Sequence, residues 1–241
     1  MPHEQPAHAG HLGAAYAAML VIGGTYWLTA MARSGIAFEH LADLPQALIV
    51  SWKGASAAGL ALLVLLRTSG DTRWFLGGSL MLIAIADVLL VMRGLMSGGT
   101  VFVLAHVLAI IGYFRCRDGR ASALTRIVAF SVPVLAIVGV SLAVTAKSMD
   151  PIHLAYPAIS GTMAACAIAS RYNPLKCGLG AVLFVLSDVL FFWDFGFFDG
   201  SGALGWLVWP AYFLGLALIA AGAIEGPRLG QQNESGGVAN G

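Results

Sequence analysis

The chain has 241 residues, of which 59% are hydrophobic and 10% charged, and its net charge at neutral pH is +1. A soluble domain carries about 25% charged residues, so this composition excludes an ordinary soluble globule and predicts a polytopic membrane protein. A near-neutral balance leaves no electrostatic footprint for nucleic acid.

Taken in order, residues 1–11 are polar, rich in His and Pro, and carry no Lys or Arg ahead of the first apolar run. They read as a short mobile tail, not as a signal peptide. Eight apolar runs follow: Leu12 to Ala32, Pro45 to Leu66, Trp74 to Met92, Gly98 to Phe114, Ile127 to Ala146, Pro151 to Ser170, Cys177 to Trp193 and Ala203 to Ile224. Each approaches the ~20 residues that cross a ~30 Å hydrocarbon core. A helix satisfies its own backbone in lipid, and the alternation of a membrane β-strand is missing. The expected fold is therefore all-α, a single eight-helix transmembrane domain over residues 12–225. Residues 226–241, rich in Gly, Gln and Asn, read as a disordered C-terminal tail.

Most basic residues, among them Arg67, Arg115, Arg117, Arg120, Arg171 and Lys176, flank one side of these spans, while Arg33, Arg93 and Lys147 flank the other. The positive-inside rule then places both termini in the cytoplasm of a plasma (bacterial inner) membrane. Cys116, Cys166 and Cys177 form no CxxC spacing and read as reduced thiols. Trp74, Trp193 and Trp206 fall near run ends, as an aromatic belt requires. Pro133 and Pro210 lie inside the fifth and eighth runs and predict kinks. A faint repeat relates Ala86-Asp87-Val88-Leu89-Leu90 to Ser187-Asp188-Val189-Leu190-Phe191, each in the third helix of a four-helix half. That suggests a 4+4 pseudo-repeat about an axis along the membrane normal.

The chemistry-bearing residues lie within the apolar runs. A charge in the bilayer costs roughly 2.5–3.5 kcal/mol on insertion scales, so Asp87 and Asp188 each need a reason to be there. Each is five residues from the outer end of its run, which puts it ~8 Å deep at 1.5 Å per residue. Lys53, His106, Tyr156 and Tyr212 fall ~8–14 Å from the same face by the same rise. With Ser187 beside Asp188, these residues form one polar layer toward the non-cytoplasmic side, facing a bundle interior or a wet cavity. Asp194 and Asp199, at or beyond a helix end, need no such explanation. Ser187 has the further option of bonding back to its own helix, and Lys53 of snorkelling or neutralising one aspartate.

In this pattern the chain resembles the YhhN-like lysoplasmalogenase family of eight-helix membrane proteins. The resemblance rests on Leu183-Phe184-Val185-Leu186-Ser187-Asp188, on Ala86-Asp87, and on Phe102 to His106, Lys53, Tyr156 and Tyr212 in the same order. Gly54 stands where the family tends to have Pro, and Ala86 where it has Gly. Ala109 replaces a frequent tyrosine, and a glutamine usual after the helix-eight tyrosine is absent. The resemblance implies hydrolysis of the vinyl ether bond of a lysophospholipid drawn from the membrane, giving a fatty aldehyde and glycerophospho-ethanolamine or -choline, with Asp87 and Asp188 as catalytic residues. Lys53, His106, Tyr156, Ser187 and Tyr212 are the expected substrate-binding or supporting residues. No metal and no cofactor are expected.

Two carboxylates suit that reaction. Cleavage protonates the vinyl ether β-carbon, and water captures the resulting oxocarbenium ion. Burial and a neighbouring carboxylate keep one proton on such a pair near neutral pH. Glycosidases solve a related oxocarbenium problem with two carboxylates. Two other readings use the same layer. One is a proton-coupled small-molecule or lipid transporter. The other is a zinc-dependent hydrolase with His106, assisted by His40 or His153, although no His-x-x-x-His spacing supports metal.

Overall fold

A chain this apolar can satisfy its backbone polar groups in lipid only within its own segments, and it does so with helices. The computed structural model describes residues 7–119, 121–148 and 150–228. Their main elements are α1 (Ala7–Arg33), α2 (Gln46–Arg67), α3 (Gly78–Arg93), α4 (Leu95–Arg115), α5 (Ala123–Ala146), α6 (Ala155–Ile168), α7 (Leu179–Phe197) and α8 (Gly205–Glu225). The first helix begins at Ala7, inside the stretch expected to be a tail. Residues 1–6, and residues 229–241 of the expected C-terminal tail, lie outside the described residues.

Seven helical segments among the described residues are long and apolar enough to cross a membrane, which fits a multi-pass membrane protein. The sixth run differs from the expected uniform span. Its residues divide between a 3-10 turn, Pro151–Leu154, and the 14-residue α6. At 1.5 Å per residue α6 reaches ~21 Å, and a tighter 3-10 turn adds ~8 Å at 2.0 Å per residue. α6 stops early because the chain after it is drawn into backbone pairing with the α4–α5 connection. Asp118 N donates to Ala169 O at 2.9 Å, and Arg171 N donates to Cys116 O at 2.8 Å. Arg228 N then donates to Arg171 O at 2.9 Å, so two connections and the segment after α8 are laced together at this end.

Neighbours in sequence pack together within α1–α4 and within α5–α8, most extensively in the α3–α4 and α7–α8 hairpins. The ring closes through α1 and α2 on α8, α4 on α6, and α5 on α7. Gly94 alone separates α3 from α4, at φ 86°, a conformation that L side chains rarely adopt. α7 meets α8 through Gly180 and Gly215. A Cβ on either would stand 2.7 Å from the other's carbonyl oxygen, so no larger residue permits this approach.

Pro210 lies inside α8 without ending it. Its missing N–H leaves the Trp206 carbonyl without an intrahelical donor. Trp27 Nε1 of α1 donates to that oxygen at 2.7 Å. Other aromatic side chains lace the bundle in the same way: Trp209 Nε1 to Gly23 O (2.8 Å), Trp52 Nε1 to Ile22 O (2.9 Å), Tyr16 OH to Ala217 O (2.7 Å) and Trp193 Nε1 to Gly139 O (2.8 Å). Trp193 therefore ties α7 to α5, beyond the belt role expected of it.

The two aspartate helices are entered alike. A π-helical turn, Thr72–Gly77, leads into α3, and a second, Pro174–Gly178, leads into α7. Each turn ends ten residues before an aspartate, Gly77 before Asp87 and Gly178 before Asp188. π turns of this kind recur near functional sites.

Candidate active site

Asp87 projects from α3 into the bundle and is 1% exposed. Removing a carboxylate from water costs several kcal/mol unless it is paired. Here Lys53 of α2 sets its ammonium 2.7 Å from Asp87 Oδ1. The Tyr212 hydroxyl of α8 donates to Oδ2. The same ammonium lies 5.6 Å from the Tyr212 ring centre and 6.0 Å from that of Trp209. Three helices thus close a neutral cage of acid, ammonium and aromatic faces.

Asp188, on α7, is held differently. The Tyr156 hydroxyl of α6 donates to its Oδ1 at 3.1 Å. Its Oδ2 is buried and has no hydrogen-bond partner among the described residues. Ser160 follows Tyr156 by one turn of α6 and is fully buried, and its hydroxyl too has no hydrogen-bond partner among the described residues. No ammonium or guanidinium is paired with Asp188 among the described residues.

Both carboxylates line one cavity of about 410 Å³. The two acids therefore face a shared space and not the lipid on opposite outer walls. The walls are apolar and aromatic, with Phe102, Phe191, Phe192 and Trp209 prominent. The cavity runs to the end of the bundle where α1, α3 and α7 finish, with Arg33 and His153 among its lining.

Lys53, Asp87, Tyr156, Ser187, Asp188 and Tyr212 all line this cavity. Ser187 spends its hydroxyl on Phe184 O of its own helix at 2.6 Å. His106 is the exception. It is fully buried behind Tyr156, with Nε2 3.3 Å from the tyrosine hydroxyl, and it does not line the cavity. The Tyr156 oxygen can accept from Nε2–H while its own proton goes to Asp188, so His106 orients the tyrosine that holds the acid. Among the described residues, no three His, Cys, Asp or Glu side chains converge as a metal site.

Ser160, Tyr26 and Trp209 were not singled out from the sequence, where Arg33 figures only as a flanking cation and His153 only as a possible zinc ligand. Ser160 was accessible to helical periodicity, four residues after Tyr156. Arg33, at the end of its run, looked like an ordinary interfacial cation. Asp194 also departs from expectation, because it is buried and structural. Its Oδ2 accepts from Gly202 N at 2.9 Å and its Oδ1 from Leu204 N at 3.0 Å, which fixes the α7–α8 connection beside the cavity.

No curated protein and no solved structure matches the chain. The YhhN family model matches residues 48–223, from the first turn of α2 to the last of α8, and this helical membrane protein therefore belongs to the YhhN family.

Proposed function

We propose that this protein hydrolyses the vinyl ether bond of a lysoplasmalogen, releasing a fatty aldehyde and a glycerophospho-ethanolamine or -choline. The observation that carries the reading is the pair of aspartates lining one apolar cavity, of which Asp87 is engaged by the Lys53 ammonium and Asp188 has no ion-pair partner among the described residues. A buried carboxyl group with no cation against it is most stable with its proton on, and that makes Asp188 the acid.

In this reading the lipid tail lies along the aromatic wall and the vinyl ether lies between the carboxyl groups. Asp188 transfers its proton to the β-carbon, and the double-bond electrons form the new C–H bond. The resulting oxocarbenium ion faces the Asp87 carboxylate, which Lys53 and Tyr212 hold fixed, so little reorganisation is needed as positive charge develops. Water adds to the cationic carbon and returns a proton to Asp188. The hemiacetal then collapses to aldehyde and the glycerol hydroxyl. Positioned acid catalysis of this kind contributes ~10²–10⁴-fold. Tyr156, steadied by His106, fixes the Asp188 carboxyl group.

The distribution of basic residues supports a cavity that opens on the non-cytoplasmic side with both termini cytoplasmic. The matched π turns and aspartates support descent of the two halves from one four-helix unit. The test of function offers purified protein a lysoplasmalogen and an ester lysophospholipid in parallel. Free aldehyde from the first and no fatty acid from the second is the expected result. Fatty acid release, or no product from either, contradicts the assignment.

A further inference from the structure

The mouth of the cavity carries a cation that the reaction does not use. Five ionisable side chains of the Asp, Lys, Arg and His types line the cavity: Lys53, Asp87, Asp188, Arg33 and His153. Lys53 is consumed by Asp87. Arg33, in the last turn of α1, enters no ion pair among the described residues. Tyr26, earlier on the same helix, also lines the cavity. Arg33 follows it by seven residues on one helix face, ~10 Å nearer the mouth. His153, which also lines the cavity, sits on the 3-10 turn ahead of α6. Its Nδ1 lies 2.7 Å from Asp150 O and its ring meets Phe192 edge-on, so it is held at the rim.

We propose that Arg33, with His153 in the same lining, binds the phosphate of a single-chain lipid whose tail fills the aromatic cavity. The inference rests on the proposed substrate class and adds how that substrate is oriented. A guanidinium fork suits a phosphate diester, which offers two free oxygens for parallel hydrogen bonds. In a lysophospholipid the glycerol backbone fixes the phosphorus a few bonds from the ether carbons, on the headgroup side of the tail. An anion at Arg33 thus sets the register of the chain and brings the vinyl ether to Asp188. Arg33 lies outside residues 48–223, so this contact belongs to a helix that the family match does not include.

The test is binding, and it is independent of turnover. A saturated 1-alkyl-glycerophosphocholine cannot be cleaved at a vinyl ether, and the matching 1-alkyl-glycerol lacks the phosphate. Calorimetry on the purified full chain is expected to show the phosphate-bearing lipid bound about ten- to a hundredfold tighter, as a charge-assisted contact provides. Arg33→Ala is expected to erase that difference and leave the alkyl-glycerol unaffected; Arg33→Lys is expected to retain part of it. Because Arg33 is exposed, its replacement leaves the core intact. Equal binding of the two lipids by the parent protein, or a preference unchanged in Arg33→Ala, overturns the phosphate site. Inorganic phosphate bound as tightly as the lipid also overturns it, in favour of a free-anion site. Aldehyde release by a protein with no phosphate preference would leave the hydrolase reading standing and this one refuted.

Discussion

Asp87 and Asp188 occupy matching places, ten residues beyond a π-helical turn, on helices that begin hairpins of the same kind. Their neighbours differ. Against Asp87, α2 sets an ammonium and α8 a hydroxyl; against Asp188, α6 sets the Tyr156 hydroxyl and no cation. The helical frame thus delivers two acids to one cavity, and the neighbouring helix decides what each can do. The first is balanced and acts as a fixed negative charge. Among the described residues the second has no counter-ion and an oxygen without a partner, which suits it to proton exchange with a ligand.

Breaking the reactive side of this comparison gives the largest effect. Asp188→Asn keeps shape and volume but removes the acid, so aldehyde release is expected to fall at least ~10²–10⁴-fold. Its elution as a single species and its thermal midpoint are expected to match the parent. Breaking the balanced side acts first on stability. Lys53→Met leaves Asp87 as a buried charge without its cation and is expected to cost about 3–5 kcal/mol, read as a lowered midpoint in detergent. The double variant Lys53→Met with Asp87→Asn removes both charges and is expected to recover most of that loss while remaining inactive. A double variant no more stable than the single one would show that the pair is not a closed unit.

Smaller effects sharpen the contrast. Tyr156→Phe removes the hydrogen bond that positions the Asp188 carboxyl group. A loss of about 1.5 kcal/mol corresponds to roughly tenfold in turnover. His106→Ala is expected to lower activity in Tyr156 protein and to add little in Tyr156→Phe, because its contact with the site passes through that hydroxyl. Ser187→Ala is expected to change activity by about twofold or less, since its hydroxyl is spent on Phe184 O within its own helix.

Helix existence was legible in the sequence because it depends on a one-dimensional quantity, apolar run length. Asp87, Asp188, Lys53, Tyr156 and Tyr212, picked out as polar residues within apolar runs, line one cavity. Azimuth was less legible. His106 turns behind Tyr156, because which face of α4 meets α6 is set by packing between distant helices. The shortening of α6 was hidden for a similar reason: Ala169 and Arg171 are claimed by the α4–α5 connection, a long-range pairing with no local signal. Asp194 looked like a helix-end residue and proved to be the buried clasp of a loop, since its partners are backbone N–H groups that leave no mark on composition.

The most direct test of the central claim is turnover of a lysoplasmalogen by the purified protein in light and heavy water, with the Asp188→Asn variant beside it. Carbon protonation by Asp188 predicts slower aldehyde release in heavy water, deuterium on the aldehyde carbon next to the carbonyl, and background release from the variant. Undiminished aldehyde release by a folded Asp188→Asn protein would contradict the account.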